Sequence, residues 1–184
     1  MAGIIKPVCG EFTIFMTSGR GYCSLPPRYE MAQRFRRSGK EKLVVLLVTD
    51  FDPDGEAIAE SFARSMRDDF GIDSIHPIKV ALTAEQVRHY DLPPSMEAKG
   101  DSSRAKGFVA KHGKNVWELE ALPPVTLQGI VRESIVSVLD MDLFEHEQQA
   151  EQTDAVNLKA IRVTMQEALK GLRFDTEGGE DHAE

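Results

Sequence analysis

Leu43-Val44-Val45-Leu46-Leu47-Val48-Thr49 runs directly into Asp50-Phe51-Asp52-Pro53-Asp54-Gly55. An aliphatic run of this length, rich in valine and bounded by turn residues, predicts a β-strand. It shows no polar alternation, which suits a central parallel strand covered on both faces. Gly55 allows a tight turn after it. Ile58, Phe62 and Met66 then recur every four residues with Ala59 and Ala63 beside them, so a helix is predicted to about residue 69, closed by Gly71. Residues 75–82 read as the next strand. Thr83 and Gln86 follow it with the spacing of a capping box. Strand, helix, strand predicts an α/β domain with a mainly parallel central sheet flanked by helices.

Upstream, residues 2–9 read as a short helix or lead-in, and Phe12-Thr13-Ile14-Phe15-Met16-Thr17 as a buried strand. Ser18-Gly19-Arg20-Gly21 breaks that run, and a helix is predicted over residues 26–37, ending at Gly39. Downstream, residues 91–101 read as a loop, 102–111 as a helix and 116–122 as a short segment. Pro123-Pro124 marks a boundary. Leu127, Val131, Ile135 and Val138 give an amphipathic helix. Residues 145–153 are polar and show no apolar face, whereas Leu158, Ile161, Met165, Leu169 and Leu172 restore a helical period. The expected organisation is an α/β domain over 1–122, a helical extension over 123–174 and a disordered acidic tail over 175–184. The 158–172 stripe predicts a packing or homodimer face rather than a catalytic one.

Composition narrows the classes. No apolar run approaches the roughly 20 residues of a membrane span, and the first residues lack the basic leader and apolar stretch of a signal peptide. The expected address is the cytoplasm, with no membrane partner. Cys9 and Cys23 are the two cysteines, and the five histidines are scattered, which argues against a disulfide framework or a structural zinc site. The net charge of −8 is unevenly spread. Residues 1–49 carry eight Lys and Arg against three acids, and residues 95–116 carry five against two. Two basic segments on an acidic chain are compatible with a nucleic-acid face, or with ordinary solvated helix surfaces.

The chemistry points to Asp50, Asp52 and Asp54. Carboxylates at alternate positions just past a strand lie where open α/β sheets bind ligands. Mg²⁺ satisfies such oxygen donors while keeping several waters. A helix start accounts for Asp54 equally well, and less well for Asp50 and Asp52. An EF-hand is excluded, because its twelfth loop position falls on Ser61 and a strand precedes the loop. A haloacid-dehalogenase-like phosphatase also ends a strand in Asp-x-Asp, but Pro53 and Asp54 stand where that family usually has Gly and then Thr or Val.

Gly19-Arg20-Gly21-Tyr22-Cys23-Ser24-Leu25-Pro26-Pro27-Arg28 resembles a segment of the A subunit of topoisomerase VI and its meiotic break-making relative. Gly19, Gly21, Tyr22 and Arg28 fall in register, and Arg20 replaces a lysine. Asp50 through Gly55 resembles the Asp-x-Asp-Pro-x-Gly of the same TOPRIM domain. Trp117-Glu118-Leu119-Glu120-Ala121-Leu122 resembles its later acidic segment. The resemblance spans about residues 12–122. It implies a Rossmann-like TOPRIM fold, Mg²⁺ on Asp50 and Asp52 with Asp54 beside them, and DNA or RNA as partner. Gly19, Arg20, Gly21 and Arg28 would bind phosphate, a role that suits backbone N–H groups and arginine forks. Arg104, Lys106 and Lys111 are expected on one side of their helix, where they would touch the nucleic-acid backbone. TOPRIM sites add a glutamate from an earlier strand. Its spacing puts it ahead of Met1, so no catalytic acid is assigned. Cys23-Ser24 and Pro27 also depart from the family pattern, and the winged helix with its DNA-attacking tyrosine has no counterpart. Phe108 and Trp117 are expected in the core or under the C-terminal helix, and Glu118 and Glu120 in solvent, with an outer-shell role at the metal as their alternative. Three functions follow: Mg²⁺-dependent nucleic-acid processing of the topoisomerase or nuclease kind, a non-catalytic nucleic-acid-binding or assembly module, and a haloacid-dehalogenase-like phosphatase.

Overall fold

The computed structural model describes residues 1–18, 24–98 and 102–174. The tail expected to be disordered, residues 175–184, lies outside them. The chain forms two compact units, Met1–Val138 and Leu139–Glu184.

The first unit is a mixed α/β arrangement built on a β-α-β repeat. Strand β1 (Leu43–Val48) pairs in parallel with β2 (Ile75–Ala81), and helix α3 (Pro53–Phe70) joins them. The register runs from Leu43 opposite Ile75 to Val48 opposite Ala81, with a slip between Leu47 and Val48. Helix α2 (Leu25–Ser38) packs on α3. Ala32 of α2, Phe62 and Met66 of α3, and Ile72 form a buried cluster, and Leu43, Val45 and Ile75 from one face of the sheet pack against it. Gly39 and Gly71 close α2 and α3 in the left-handed region, at φ 64 and φ 62. Arg36 of α2 donates to the Phe70 carbonyl at the end of α3, satisfying one of the last-turn acceptors a helix leaves open.

Helix α1 (Ala2–Glu11) packs on α6 (Pro124–Val136). Val8 of α1 and Leu127, Val131 and Ile135 of α6 are all buried, Gln128 donates to the Ile4 carbonyl at 2.8 Å, and the Arg132 guanidinium grips both Glu11 oxygens at 2.7 Å. Helix α6 also contacts β2. It therefore belongs to the first unit, and the division of the chain falls after Val138 rather than at Pro123-Pro124.

The remaining elements are short. Helix α4 (Ala84–His89) starts in the capping box foreseen from Thr83 and Gln86, with both reciprocal bonds present. Helix α5 (Ser103–His112) is capped by Ser102, whose hydroxyl accepts from the Ala105 amide at 3.1 Å. Between them, β3 (Met96–Glu97) pairs antiparallel with β4 (Asn115–Val116), and a 3₁₀ turn (Leu119–Ala121) follows.

Four expectations are corrected. Strand β1 is not a fully covered central strand: among the described residues it pairs with β2 alone, and all six of its residues are partly exposed. A two-stranded sheet has no interior strand. The run from Phe12 to Thr17 is not a buried strand either. Thr13 sits at φ 51, its amide reaches the Gly10 carbonyl at 3.2 Å, and the Ile14 amide reaches Cys9 at 2.9 Å. That is a Schellman closure of α1, and Phe15 lies outside the core at 60 % exposure beneath the Arg34 guanidinium. Residues 91–101 are not wholly loop, since they supply β3. The polar stretch 145–153 does not interrupt the second unit, where α7 (Met141–Phe174) is one continuous helix of 34 residues. Its glutamates, glutamines and alanines are good helix formers without any apolar face.

No helix among the described residues is long and apolar enough to cross a membrane.

Cys9, on α1, is 8 % exposed. Burial pushes its thiol above the ordinary value of 9.0, opposed in part by a backbone hydrogen bond. A raised pKa means that stability held by the neutral thiol is present below pH 9.0 and is lost as pH climbs past it. In a Cys23→Ser chain, Cys9 is expected to resist a thiol reagent until denaturant is added; rapid labelling of the native protein would show that the α1–α6 packing is wrong.

Candidate functional site

The turn between β1 and α3 is held from three sides. Thr49 extends the parallel pairing, its amide reaching the Ala81 carbonyl at 2.7 Å and its carbonyl accepting from Leu82 at 2.6 Å. Phe51, two residues on, forms an isolated antiparallel bridge with Trp117, with backbone bonds of 2.8 and 3.1 Å. Its ring is 3 % exposed and lies in edge contact with Phe108 and His112 at centroid distances of 5.2 and 5.0 Å. Side chains of extended chain alternate sides, so the burial of Phe51 leaves Asp50 and Asp52 together on the other side. Phe108 takes the core place expected of it, whereas Trp117 is half-buried and donates its indole N–H to the Leu92 carbonyl at 2.9 Å. Leu119 is buried, whereas Glu118 and Glu120 are exposed.

Each carboxylate of the motif has a partner. Asp50 Oδ1 accepts from the Leu119 amide at 2.8 Å, which satisfies the first N–H of the 3₁₀ turn. Asp52 is the N-cap of α3, its Oδ1 accepting from the Gly55 amide at 2.6 Å. Asp54 lies in the first turn of α3 and pairs with Arg104 of α5 at 3.4 Å, both side chains being largely exposed. Among the described residues no three His, Cys, Asp or Glu side chains gather in a way that would hold a metal ion. The three aspartates are adjacent in the chain but do not converge as a three-carboxylate cluster, because Asp54 is drawn outward to α5. Asp50 and Asp52 each engage Oδ1 with a backbone amide, and no hydrogen bond is seen at either Oδ2 among the described residues. Mg²⁺ is often held by one or two carboxylates with water and phosphate completing its shell, so this pair suits part of such a shell and not a closed protein cage.

Comparison with known proteins found no family model, no curated protein and no solved structure that matches the chain.

The other expected site residues are dispersed. Arg28 is turned into the α2–α3 contact, donating to Ser65 and lying 3.8 Å from Asp69. Ser65 is eleven residues along α3 from Asp54, about 16 Å at 1.5 Å per residue, so Arg28 serves helix packing at the other end of α3. Gly19, Arg20 and Gly21 lie outside the described residues. Arg104 and Lys106 do not share a side of α5. Two residues apart on a helix, they stand about 200° around its axis, and Lys111 rather than Lys106 falls near Arg104.

The structure adds a group the motif did not name. Lys79, from the middle of β2, donates to the Asp50 carbonyl at 3.2 Å and to Glu56 Oε1 at 2.7 Å. Its side chain is only 15 % exposed, and its ammonium lies 5.4 Å from the Phe51 ring centroid. His112 Nε2 stands 4.0 Å from the other Glu56 oxygen. A lysine near the apolar end of the strand Ile75-His76-Pro77-Ile78-Lys79-Val80-Ala81 was the available clue. Lys79 ties the end of β1 to the first turn of α3.

Gly55 is required for a steric reason. A Cβ there would stand 2.1 Å from the Asp50 carbonyl oxygen and 3.0 Å from Asp52 Oδ1. Gly55→Ala is expected to cost about 3 kcal/mol or more. Gly107→Ala, where a Cβ meets nothing within 4 Å, is expected to stabilise α5 by about 0.5–1 kcal/mol. Urea unfolding of the two variants checks the contrast, and equal midpoints would refute the close approach at Gly55. Lys79→Met should cost roughly 1–2 kcal/mol. Most of that effect should vanish in a Glu56→Gln background, as read from a double-mutant cycle.

Proposed function

We propose that the β1–α3 turn is a Mg²⁺-binding site of a Rossmann-like, TOPRIM-type domain that processes nucleic acid at its phosphodiester bonds in the cytoplasm. The observation that carries this reading is the pairing of Asp50 and Asp52 at the carboxyl end of β1, each oriented through one oxygen by a backbone amide. The β-α-β unit beneath them is parallel, as a Rossmann-like fold requires. Fixing one oxygen of a carboxylate fixes the direction of the other, which is how hydrogen-bonded partners orient a ligand before a metal arrives.

In this reading Asp50 and Asp52 hold the ion through Oδ2, directly or through water, and Asp54 stays with Arg104. Bound there, Mg²⁺ would stabilise charge on the attacked or leaving phosphate oxygen. Lys79 and the Phe51–Trp117 bridge keep the two aspartates on one side of the turn. No residue is assigned as the acid or base.

A second reading has its own observation. The partners of Asp50, Asp52 and Asp54 account for all three acids structurally, which suits a non-catalytic nucleic-acid-binding or assembly module with the same fold.

Calorimetric titration with Mg²⁺ and with Mn²⁺ separates the two, on the wild type and on Asp50→Asn/Asp52→Asn. Asparagine retains an oxygen for the Leu119 and Gly55 amides, so the fold is kept while ligand charge is lost. Saturable heat in the wild type that disappears in the double variant is expected. A wild type with no saturable heat, but with salt-dependent retention of a short DNA duplex, would replace the metal site with the binding module.

A further inference from the structure

Strand β1 has the composition of a central strand and the position of an edge strand. The Leu43 amide donates to the Ser74 carbonyl at 3.0 Å, and the Thr49 amide to the Ala81 carbonyl at 2.7 Å. Backbone groups alternate in direction along a strand. The odd-numbered residues therefore face β2, and the N–H and C=O groups of Val44, Leu46 and Val48 face away. Among the described residues none of these groups has a hydrogen-bond partner, although all three residues are only partly exposed. Backbone groups set among apolar side chains are nearly always paired. The edge also lacks the usual guards against pairing. Residues 43–48 hold no charge and no proline, and the extra residue at the register slip is Val80 of β2.

The residues on either side of the strand name the occupant and its direction. Lys40 and Lys42 precede it, and Asp50 and Asp52 follow it. An antiparallel copy of β1 centred on Leu46 sets Leu46 against Leu46 and Val44 against Val48, so the outward N–H and C=O groups of each copy meet those of the other. The same register puts Lys42 opposite Asp50 of the second copy and Lys40 opposite Asp52, and two-fold symmetry repeats both pairs. Glu41 falls opposite Phe51. Opposite charges facing each other across a strand pair stabilise it, and like charges destabilise it. A parallel copy would lay Lys42 on Lys42 and Asp50 on Asp50.

We propose that the outer edge of β1 is a homodimer interface, in which two copies pair antiparallel about Leu46 and make one four-stranded sheet in the order β2-β1-β1-β2. The pairing places β1 inside a sheet, as its unbroken aliphatic run suits. It goes beyond both functional readings and needs no ion at Asp50 or Asp52.

Sedimentation equilibrium of the full chain over a concentration series tests it, with EDTA present so that the result is independent of any metal. The expected mass at high concentration is twice the 20.5 kDa of one chain. Leu46→Pro removes an outward N–H and no bond to β2, and should leave a single chain with unchanged far-UV circular dichroism. Lys42→Glu, a second variant at an exposed position, leaves the backbone alone and should weaken the dimer about tenfold. Orientation is read by disulfide cross-linking in a Cys23→Ser background. Leu46→Cys should cross-link with itself and Val44→Cys with Val48→Cys, each pair lying opposite within disulfide reach. Val44→Cys alone should not. A wild type that remains a single chain at every concentration overturns the proposal, whether α2 or another molecule then closes the edge. A dimer that survives both Leu46→Pro and Lys42→Glu is held elsewhere, as by the exposed Leu158, Ile161, Met165 and Leu169 of α7, and overturns it equally. Cross-linking of Val44→Cys with itself overturns the antiparallel arrangement.

Discussion

The Asp50 carbonyl passes so close to the Cα of Gly55 that no side chain fits between them, and the turn at the centre of the first unit is arranged around that approach. It lets β1 turn into α3 within a few residues. The Asp50 carbonyl is also the acceptor for Lys79, so the same atom that excludes a Cβ ties the turn to β2. Asp52 caps α3 through the Gly55 amide, which places the helix start against the strand end. Phe51, between the two aspartates, is then forced into contact with Phe108, His112 and Trp117, and this fixes α5 and β4 relative to the parallel pair. A larger residue at position 55 therefore disturbs a strand, two helices and an aromatic cluster at once, whereas a larger residue at position 107 disturbs none of them.

Much of this was legible because the relevant physics is local. The aliphatic run at 43–48, the four-residue period of α3, the capping box of α4 and the glycines closing α2 and α3 all act within a few residues of themselves, and each appears in the structure. The misses share the opposite property. Phe12–Thr17 has the composition of a strand, but pairing is a matter of available edges, and the Schellman closure at Thr13 turns the chain instead. Strands β3 and β4 are two residues each, too short to show a period. The parallel pair was recognisable as strands, whereas the number of strands beside it was not, because a continuous aliphatic run reports apolar surroundings without saying whether strands or helices supply them. Here α2 and α3 supply one face.

The candidate site was legible as residue types and not as contacts. Asp50 and Asp52 flank the buried Phe51, but their hydrogen bonds to Leu119 and Gly55 involve backbone amides, which any residue could provide and no motif records. Arg28 shows the converse. A basic residue near a glycine-rich segment suggested a phosphate partner, while its burial against Ser65 and Asp69 depends on how α2 lies on α3. Lys79 went unassigned because its partners are 29 and 23 positions away in sequence.

The charges at the turn do not balance, and that imbalance gives the two functional readings a common physical root. Asp54 is compensated by Arg104. Among the described residues, Asp50, Asp52 and Glu56 share one fixed cation, Lys79, which reaches Glu56 and a carbonyl rather than either aspartate. Backbone amides touch the Asp50 and Asp52 carboxylates, yet they carry only partial charge. With these acids ionised, the turn holds a net excess of two negative charges over its lysine. A divalent cation would match that excess, and so would two Lys or Arg side chains of a partner segment. The Oδ1 contacts serve a purely structural role as well as they serve metal binding, because both need the same fixed turn. What separates the readings is the countercharge at Oδ2, a property of the bound state and not of the fold.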